Sequence, residues 1–324
     1  MNLNVLTWRF YLLNIFVLSN TLMSGQSNWT NPIVKQGYLG SPLVETSPFV
    51  FNNRLYLLEN NQRFWDVPGA KPGDFFHQDE VRIRDVKSKG IISVALKNHA
   101  FATLLVWEGK VYVFAGDYGK DKPWRQITEI SMTSSSDLKI WTAPVVVLRA
   151  APNEFFFNTA ICRAEDKFIL LYETNDTRWK PFTFRYMKSS DLKRWKEIPD
   201  AFYGKEKYVG GPALYYEGGW YYTLYLESLG NGYETRITRS EDLLHWEDAP
   251  NGRSFVTYDP SHKNIPLISP DISENNASDV ELCYYNGKTI LYFTGSDQTT
   301  AGDLQWAVYD GTPEQLFEYF FIPK

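Results

Sequence analysis

The sequence predicts an all-β protein, a five-bladed β-propeller of four-stranded antiparallel blades. One observation behind this prediction is a turn motif, S-x-D-L-x-x-W, that occurs three times. Its aspartates are Asp137, Asp191 and Asp242, so the copies are 54 and 51 residues apart. Apolar runs of strand length precede each copy, and no long segment with the 3.6-residue period of a helix interrupts them. Self-similarity at such a spacing is typical of a repeat architecture.

Each repeat contains two apolar or alternating runs joined by a tight turn, which is the signature of a β-hairpin. The turns ahead of the three motifs are Glu108-Gly109, Glu165-Asp166 and Gly218-Gly219. Two further hairpins turn at Asn52-Asn53 and Asn286-Gly287 and lack the motif. The chain therefore holds five units of roughly 50–60 residues, and four-stranded units repeated around a centre make a propeller. A two-sheet sandwich is the alternative, but it gives no reason for a period.

The motif itself is best interpreted as scaffold. Aspartate accepts backbone N–H bonds in tight turns and serine caps them locally, so S-x-D-L is expected to join the third and fourth strands of a unit. The tryptophan then begins the fourth strand, where its ring can pack between neighbouring blades.

The two ends of the chain carry different signals. Arg9 precedes the apolar run 10–18, a pattern typical of an export signal, so residues 1–25 are predicted to be a signal peptide. Residues 26–324 are predicted to be a single propeller domain that ends in a short capped helix from Thr312. The expected location is secreted or periplasmic.

The composition argues against several other classes. The net charge is −5 and no dense Lys/Arg run occurs, so we expect no nucleic-acid partner. The N-terminal apolar run is too short to span a bilayer. Cys162 and Cys283 form no disulfide framework and no zinc site, and no histidine pair has metal-ligand spacing. We expect no metal and no cofactor, although a structural ion such as Ca²⁺ on the axis stays open.

Alignment of the units on their hairpins places one residue of each first strand at the same level: Glu45, Phe101, Asn158, Gly211 and Asp279. Because strand side chains alternate, Asp279 and Glu281 share one face of the fifth inner strand. Two carboxylates near an axis are costly unless they are bound or used. Every unit also ends its second strand with an acid, which predicts an acidic ring. The catalytic candidates are Asp279, Glu281 and Glu45 from strand starts, with Glu173 and Glu227 from strand ends.

Paired acids of this kind suit glycoside hydrolysis. One carboxyl protonates the leaving oxygen, and the other activates water or attacks the anomeric carbon. The proton donor is expected to be the carboxyl whose pKa is raised by apolar neighbours or by a second carboxylate.

The residues expected to bind the sugar surround those acids. Aromatic and arginine side chains in the loops suit sugar faces, and polar side chains near the strand starts can meet hydroxyl groups. Some of the acids are expected to cap loop backbone instead. The binding candidates are His99, Asp117, Glu59, Arg163, Trp65, Trp124, Arg125, Asn158 and Asn276.

The five units with their S-x-D-L-x-x-W turns resemble the five-bladed glycoside hydrolases of the arabinanase, β-xylosidase and invertase type, over about residues 40–311. The ending from Asn286 onwards resembles secreted relatives in that superfamily. The resemblance implies hydrolysis of a polysaccharide-derived glycan by acids from different inner strands. The invertase-like N-D-P-N-G motif is absent, and Glu45 stands where arabinanase-type enzymes use an aspartate as base.

Two other functions fit the same scaffold. A non-catalytic glycan-binding propeller would keep the aromatic residues without needing the acid pair. A glycoside phosphorylase would need a cationic phosphate site, for which Arg125, Arg163 and Arg178 are the candidates.

Overall fold

The computed structural model describes residues 29–39, 41–62, 79–118, 126–176, 178–180, 182–261, 273–296 and 303–323. Residues Asn31–Pro323 form one compact unit. Its strands in chain order are β1 (Val34–Tyr38), β2 (Val44–Phe51), β3 (Arg54–Asn61), β4 (Glu80–Asp85), β5 (Ile91–Lys97), β6 (His99–Trp107), β7 (Lys110–Asp117), β8 (Glu129–Ser135), β9 (Val145–Arg149), β10 (Phe156–Ala164), β11 (Lys167–Thr174), β12 (Thr183–Ser189), β13 (Lys196–Tyr203), β14 (Gly210–Glu217), β15 (Trp220–Ser228), β16 (Tyr233–Ser240), β17 (Glu247–Asp248), β18 (Asn276–Tyr285), β19 (Lys288–Thr294) and β20 (Leu304–Tyr309).

The described strands form three antiparallel four-stranded sheets in chain order, β2–β5, β6–β9 and β10–β13. The other strands form an eight-stranded sheet in the order β1-β20-β19-β18-β16-β15-β14, with β17 paired to β16. A short parallel pairing, Tyr233 with Asn276 and Glu234 with Ala277, divides it into two antiparallel groups of four. The all-β prediction with four-stranded antiparallel sheets is confirmed, and the arrangement is propeller-like.

The first strand of each four-stranded group lies against the first strand of the next group. In the described chain β2 contacts β6, β6 contacts β10, β10 contacts β14 and β14 contacts β18. β18 also contacts β2, so this series of innermost strands returns to its start.

The hairpin turns are where the sequence predicted them. Asn52 and Asn53 have φ of 48° and 58°, and Asn286 and Gly287 have φ of 50° and 82°. Such left-handed turns match the twist of the strands, which is why Asn and Gly occupy them.

The S-x-D-L turns are scaffold, as predicted. Asp137 Oδ1 accepts the backbone N–H groups of Lys139 at 2.8 Å and Ile140 at 2.9 Å. Asp191 and Asp242 accept the corresponding bonds in their own turns. The three turns connect β8 to β9, β12 to β13 and β16 to β17.

The motif tryptophans join neighbouring sheets. Trp141 Nε1 donates to Ser93 Oγ on the preceding sheet at 2.9 Å. The Trp195 ring lies 6.0 Å from Phe114, and the Trp246 ring lies 5.4 Å from Tyr186. Apolar burial between adjacent sheets therefore forms the core, and each motif contributes to it.

The predicted C-terminal helix is present as α1 (Pro313–Phe321). Thr312 caps its first turn in a capping box with Gln315. On its buried face the ring of Phe317 lies 4.7 Å from Tyr222 and 5.3 Å from Tyr215. Within the described residues, no helix is long and apolar enough to cross a membrane.

Candidate active site

Each innermost strand of the described chain carries an irregularity at the same level. The pairing register shifts between Val44/Ser47, Ala100/Thr103, Phe156/Thr159, Gly210/Ala213 and Ser278/Glu281. An extra residue of this kind is a β-bulge, which re-aims side chains. Four bulge residues have left-handed backbone, with φ of 52° at Glu45, 58° at Phe101, 52° at Gly211 and 53° at Asp279. The residues aligned from the sequence are thus bulge residues.

These bulges surround a small pocket, which we call the central pocket. Side chains and backbone from all five innermost strands contribute to it. Its lining residues are Glu45, Ser47, Ala102, Asn158, Thr159, Gly211, Pro212, Asp279 and Glu281.

Glu173 and Asp279 approach the same glycine. Glu173 is 4% exposed, and its Oε2 accepts the Gly211 N–H at 3.1 Å and the Asn158 amide at 3.4 Å. A Cβ at position 211 would lie 2.3 Å from Asp279 Oδ1. The missing side chain of Gly211 therefore lets a carboxyl from β11 and a carboxyl from β18 meet at one point of β14.

Glu281 is held by a tyrosine. Tyr215 Oη donates to Glu281 Oε2 at 2.9 Å and accepts the backbone N–H of Leu282 at 2.8 Å. Asp279 Oδ2 is bonded to the hydroxyl of Ser278 beside it. Neutral groups rather than cations donate these hydrogen bonds, so burial of the carboxyls dominates their electrostatics.

Burial raises the pKa of these carboxyls by different amounts. It raises the pKa of Asp279 to about 6 and the pKa of Glu173 and Glu281 to about 8. The pKa of Glu45 lies well above its usual value because of burial, and then because of the charges of Asp279 and Glu173. At neutral pH the set therefore holds an ionised carboxylate, Asp279, beside protonated neighbours. General acid and general base catalysis need two groups whose pKa values are separated in this way.

A row of aromatic rings lies beside the central pocket. Phe101 is 6.2 Å from Phe157, Phe157 is 4.4 Å from Phe182, and Phe182 is 5.8 Å from Tyr208. Tyr208 is 38% exposed, and burial together with the nearby charges of Glu173 and Asp279 raises its pKa. We call Phe157, Phe182 and Tyr208 the aromatic row. The sequence did not reveal it, because its three members come from different segments and share no motif.

Two of the predicted acids lie outside the central pocket. Glu59 is buried and its Oε2 accepts from Arg82 Nε at 2.6 Å, with Arg84 on its other oxygen. Glu227 Oε2 accepts from Arg236 Nε at 2.8 Å. Both carboxylates are held in ion pairs with the neighbouring strand, and neither is in the described lining of the central pocket.

His99 and Asp117 form a pair at the end of the second sheet. His99 Nδ1 lies 2.7 Å from the Lys97 carbonyl, and its Nε2 lies 3.5 Å from Asp117 Oδ2. The histidine is buried, and neither residue lines the central pocket.

Arg163 and Asn276 are likewise placed elsewhere. Arg163 is exposed, and its guanidinium lies 3.9 Å from the centre of the Trp107 ring. Asn276 is fully buried, and its amide donates to Ser278 Oγ at 3.1 Å and to the Thr294 carbonyl at 2.9 Å. Neither side chain is in the described lining of the central pocket, and the hydrogen bonds of Asn276 support the start of β18.

Asn158 is the predicted binding residue that does line the pocket, where its amide bonds both Glu45 and Glu173. Trp65, Trp124 and Arg125 lie outside the described residues. No group of three or more His, Cys, Asp or Glu side chains within the described ranges is arranged to hold a metal ion.

Comparison with solved structures shows what this fold resembles. One similar structure is a glycoside hydrolase, with 12% identity, 87% of this chain and 92% of that protein covered, and a TM-score of 0.60. A thermostable family-43 glycoside hydrolase has 12% identity, 85% and 91% coverage, and a TM-score of 0.58. An N-acetylgalactosamine deacetylase from F. plautii, in complex with blood group B trisaccharide, has 10% identity, 86% and 95% coverage, and a TM-score of 0.59.

The resemblance to five-bladed glycoside hydrolases that the sequence indicated is thus confirmed, since family 43 enzymes are among the similar structures. At these identities the likeness is one of fold. No protein-family profile matches the sequence, and no curated protein matches it.

Proposed function

We propose that this chain is a glycoside hydrolase that cleaves a polysaccharide-derived glycan in the central pocket. The observation that carries the proposal is the set of carboxyls Glu45, Glu173, Asp279 and Glu281, which meet with their pKa values on both sides of neutrality. Buried acids left without a cation are costly to a fold, and catalysis is the common reason to keep them. The fold shared with family 43 glycoside hydrolases supports the same conclusion.

The proposal includes a closed five-bladed propeller. The strand groups β2–β5, β6–β9, β10–β13, β14–β17 and β18–β20 with β1 would be the five blades. The contact between β18 and β2 supports closure. The central pocket would then lie on the propeller axis.

In this proposal Glu45 is the proton donor and Asp279 is the base. Glu45 lines the pocket and keeps its proton because of burial and the Asp279 charge. Asp279 has the lowest pKa of the set and can take a proton from water. In hydrolysis the water oxygen bonds to the anomeric carbon, the glycosidic C–O bond breaks, and the leaving oxygen takes the Glu45 proton. Glu173 and Glu281 position and tune this pair.

The test is release of sugar from a panel of plant and algal polysaccharides and their oligosaccharides, measured by chromatography. Asp279→Asn and Glu45→Gln should each reduce turnover by at least about 100-fold, because each removes a proton transfer in the transition state. Glu227→Gln is the matched control and should keep activity, since Glu227 pairs with Arg236 outside the pocket. Full activity in both pocket variants would remove these residues from the mechanism.

Glycan binding without turnover is the second candidate function, and the aromatic row favours it. Sugar rings stack on aromatic faces whether or not a bond is then cleaved. Calorimetry that shows binding, lost in Phe182→Ala, without product after long incubation would establish this alternative. A phosphorylase has less support, because the described lining of the central pocket contains no cationic side chain for phosphate.

We also propose that the protein is exported, secreted or periplasmic, through cleavage of residues 1–25. The support is the apolar N-terminal run that follows Arg9. Sequencing of the mature N-terminus after cell fractionation tests this. A full-length chain that stays in the cytoplasmic fraction would contradict it.

A further inference from the structure

A second cavity lies along the same five strands as the central pocket. It has a volume of about 330 Å³, and we call it the lower cavity. The central pocket uses the first residues of these strands, and the lower cavity uses the residues that follow them, for example Leu104, Ile161 and Leu214. Ser47 and Glu281 line both spaces, so this pair is the boundary between the two cavities.

The lower cavity opens away from the strand starts. Val106, which is 36% exposed, and the exposed Tyr284 lie towards its end. Its walls combine apolar side chains with polar ones, among them Arg163 and Glu217, and Glu281 at the boundary is fixed by Tyr215. The ring of Phe317 from α1 lies 5.3 Å behind Tyr215 and holds it in place. A polar, rigid junction between two cavities is suited to pass water.

We propose that the lower cavity is the route by which water reaches the central pocket while a glycan covers the other opening. This inference rests on the proposed hydrolytic function. Each hydrolysis consumes one water molecule, whose oxygen goes to the anomeric carbon and whose proton goes to Asp279. A bound sugar blocks the side of the strand starts, so the next water enters past Ser47 and Glu281. Glu281 is a positioning residue that binds this water beside Asp279.

The two natural cysteines provide attachment points for a test. Cys162 and Cys283 both line the lower cavity, and the described lining of the central pocket contains neither. In a Cys162→Ser background, Cys283 is converted to a mixed disulfide with methyl or benzyl methanethiosulfonate. If the cavity conveys water, kcat should fall by about tenfold or more with KM unchanged, because the glycan still binds but its cleavage lacks water. The benzyl group should act more strongly than the methyl group.

Reduction of the mixed disulfide should restore activity, which shows that the protein stayed folded. The cysteine-free double variant treated in the same way controls for other effects of the reagent. If Cys283 does not react, Val106→Cys in that cysteine-free background gives an accessible thiol at the same cavity.

The outcomes separate the two proposals. Full modification, verified by mass spectrometry, with unchanged kcat would overturn the water route and leave the hydrolase proposal intact. A raised KM with unchanged kcat would also overturn it, since the cavity would then bind glycan. Absence of product from the unmodified protein would instead contradict the hydrolase proposal on which the water route rests.

Discussion

At Gly211 the backbone of β14 contacts two carboxyl groups, those of Glu173 and Asp279. Its N–H donates to Glu173, and its missing side chain leaves room for Asp279. The left-handed φ of 52° adds a second reason for glycine here. The local sequence Gly210-Gly211 therefore determines how closely two acids from other strands approach each other.

Gly211→Ala should abolish most activity and lower the free energy of unfolding by roughly 1–3 kcal/mol, because the new Cβ displaces Asp279 and strains the backbone. Product release and urea denaturation measure the two effects. Gly210→Ala is the matched control, since a Cβ there would meet Leu226 Cδ2 at 3.3 Å and no left-handed backbone is involved. Wild-type activity in Gly211→Ala would contradict the close approach of Asp279.

Glu281→Gln should stabilise the protein increasingly as the pH rises. Burial raises the pKa of Glu281 from 4.5 to about 8, so its ionisation costs stability in the folded state. The protonated Glu281 carboxyl contributes its full share to the stability of the wild-type protein below about pH 4.5. This share is lost as the pH rises towards 8 and the carboxyl ionises. The amide cannot ionise, so the variant should gain on the order of 1–3 kcal/mol at pH 7.5 and little at pH 5. Thermal melts of the variant and the wild-type protein at both pH values test this. A difference in melting temperature that does not widen with pH would disprove it.

The sequence could predict part of this site at the level of single residues. Glu45, Asp279 and Glu281 were placed together because strand alternation and hairpin alignment are local rules. The ion pairs of Glu59 and Glu227 were not predictable, because the arginines lie on the following strand and strand position alone does not reveal an ion pair. Tyr215 was missed because its partner Glu281 is distant in sequence.

At the level of elements, turn chemistry was predictable and bulges were not. Asn-Gly and S-x-D-L turns follow from local hydrogen bonding and left-handed backbone. The bulges on the innermost strands carry no single residue type, since Glu45, Phe101, Gly211 and Asp279 share only their conformation. The left-handed conformation of these residues depends on contacts with other strands near the central pocket. A local sequence pattern therefore does not predict the bulges.

Asp191→Ala should lower the melting temperature by a few degrees without loss of activity, since the turn lies at the opposite ends of the strands from the pocket. The change removes acceptors for the backbone N–H groups of Lys193 and Arg194. Those bonds hold the pKa of Asp191 below its usual range, so the effect should shrink at acid pH as the carboxyl takes a proton. Ser190→Ala in the same turn is the control. Equal melting temperatures for the two variants would show that the aspartate bonds contribute little.

At the level of the whole molecule, the chain ends share a sheet. β1 pairs antiparallel with β20, so Val34–Tyr38 completes a group whose other strands come from residues 276–309. The period of the sequence predicted five units, but it did not show that the last unit takes its fourth strand from the N-terminal side. The segment 34–38 carries no S-x-D-L-x-x-W motif, and its partner lies almost a full chain length away.

In a closed propeller this pairing joins the last blade to the first, so a covalent bond there should stabilise the whole ring. Val34 and Val308 are directly opposed in the register of β1 and β20. A disulfide between cysteines at these positions closes a loop of nearly the entire compact unit, and long loops restrict the unfolded chain most. We expect Val34→Cys with Val308→Cys to gain about 2–4 kcal/mol when oxidised.

Thermal melts of the oxidised and reduced double variant measure this gain, and the two single-cysteine variants control for the substitutions. Cys162 and Cys283 stay in all of these proteins, so mass spectrometry must confirm which thiols have paired. An oxidised variant that melts with its reduced form would contradict the expected gain. A gain confined to the oxidised form would support the pairing of Val34 with Val308, on which closure of the ring depends.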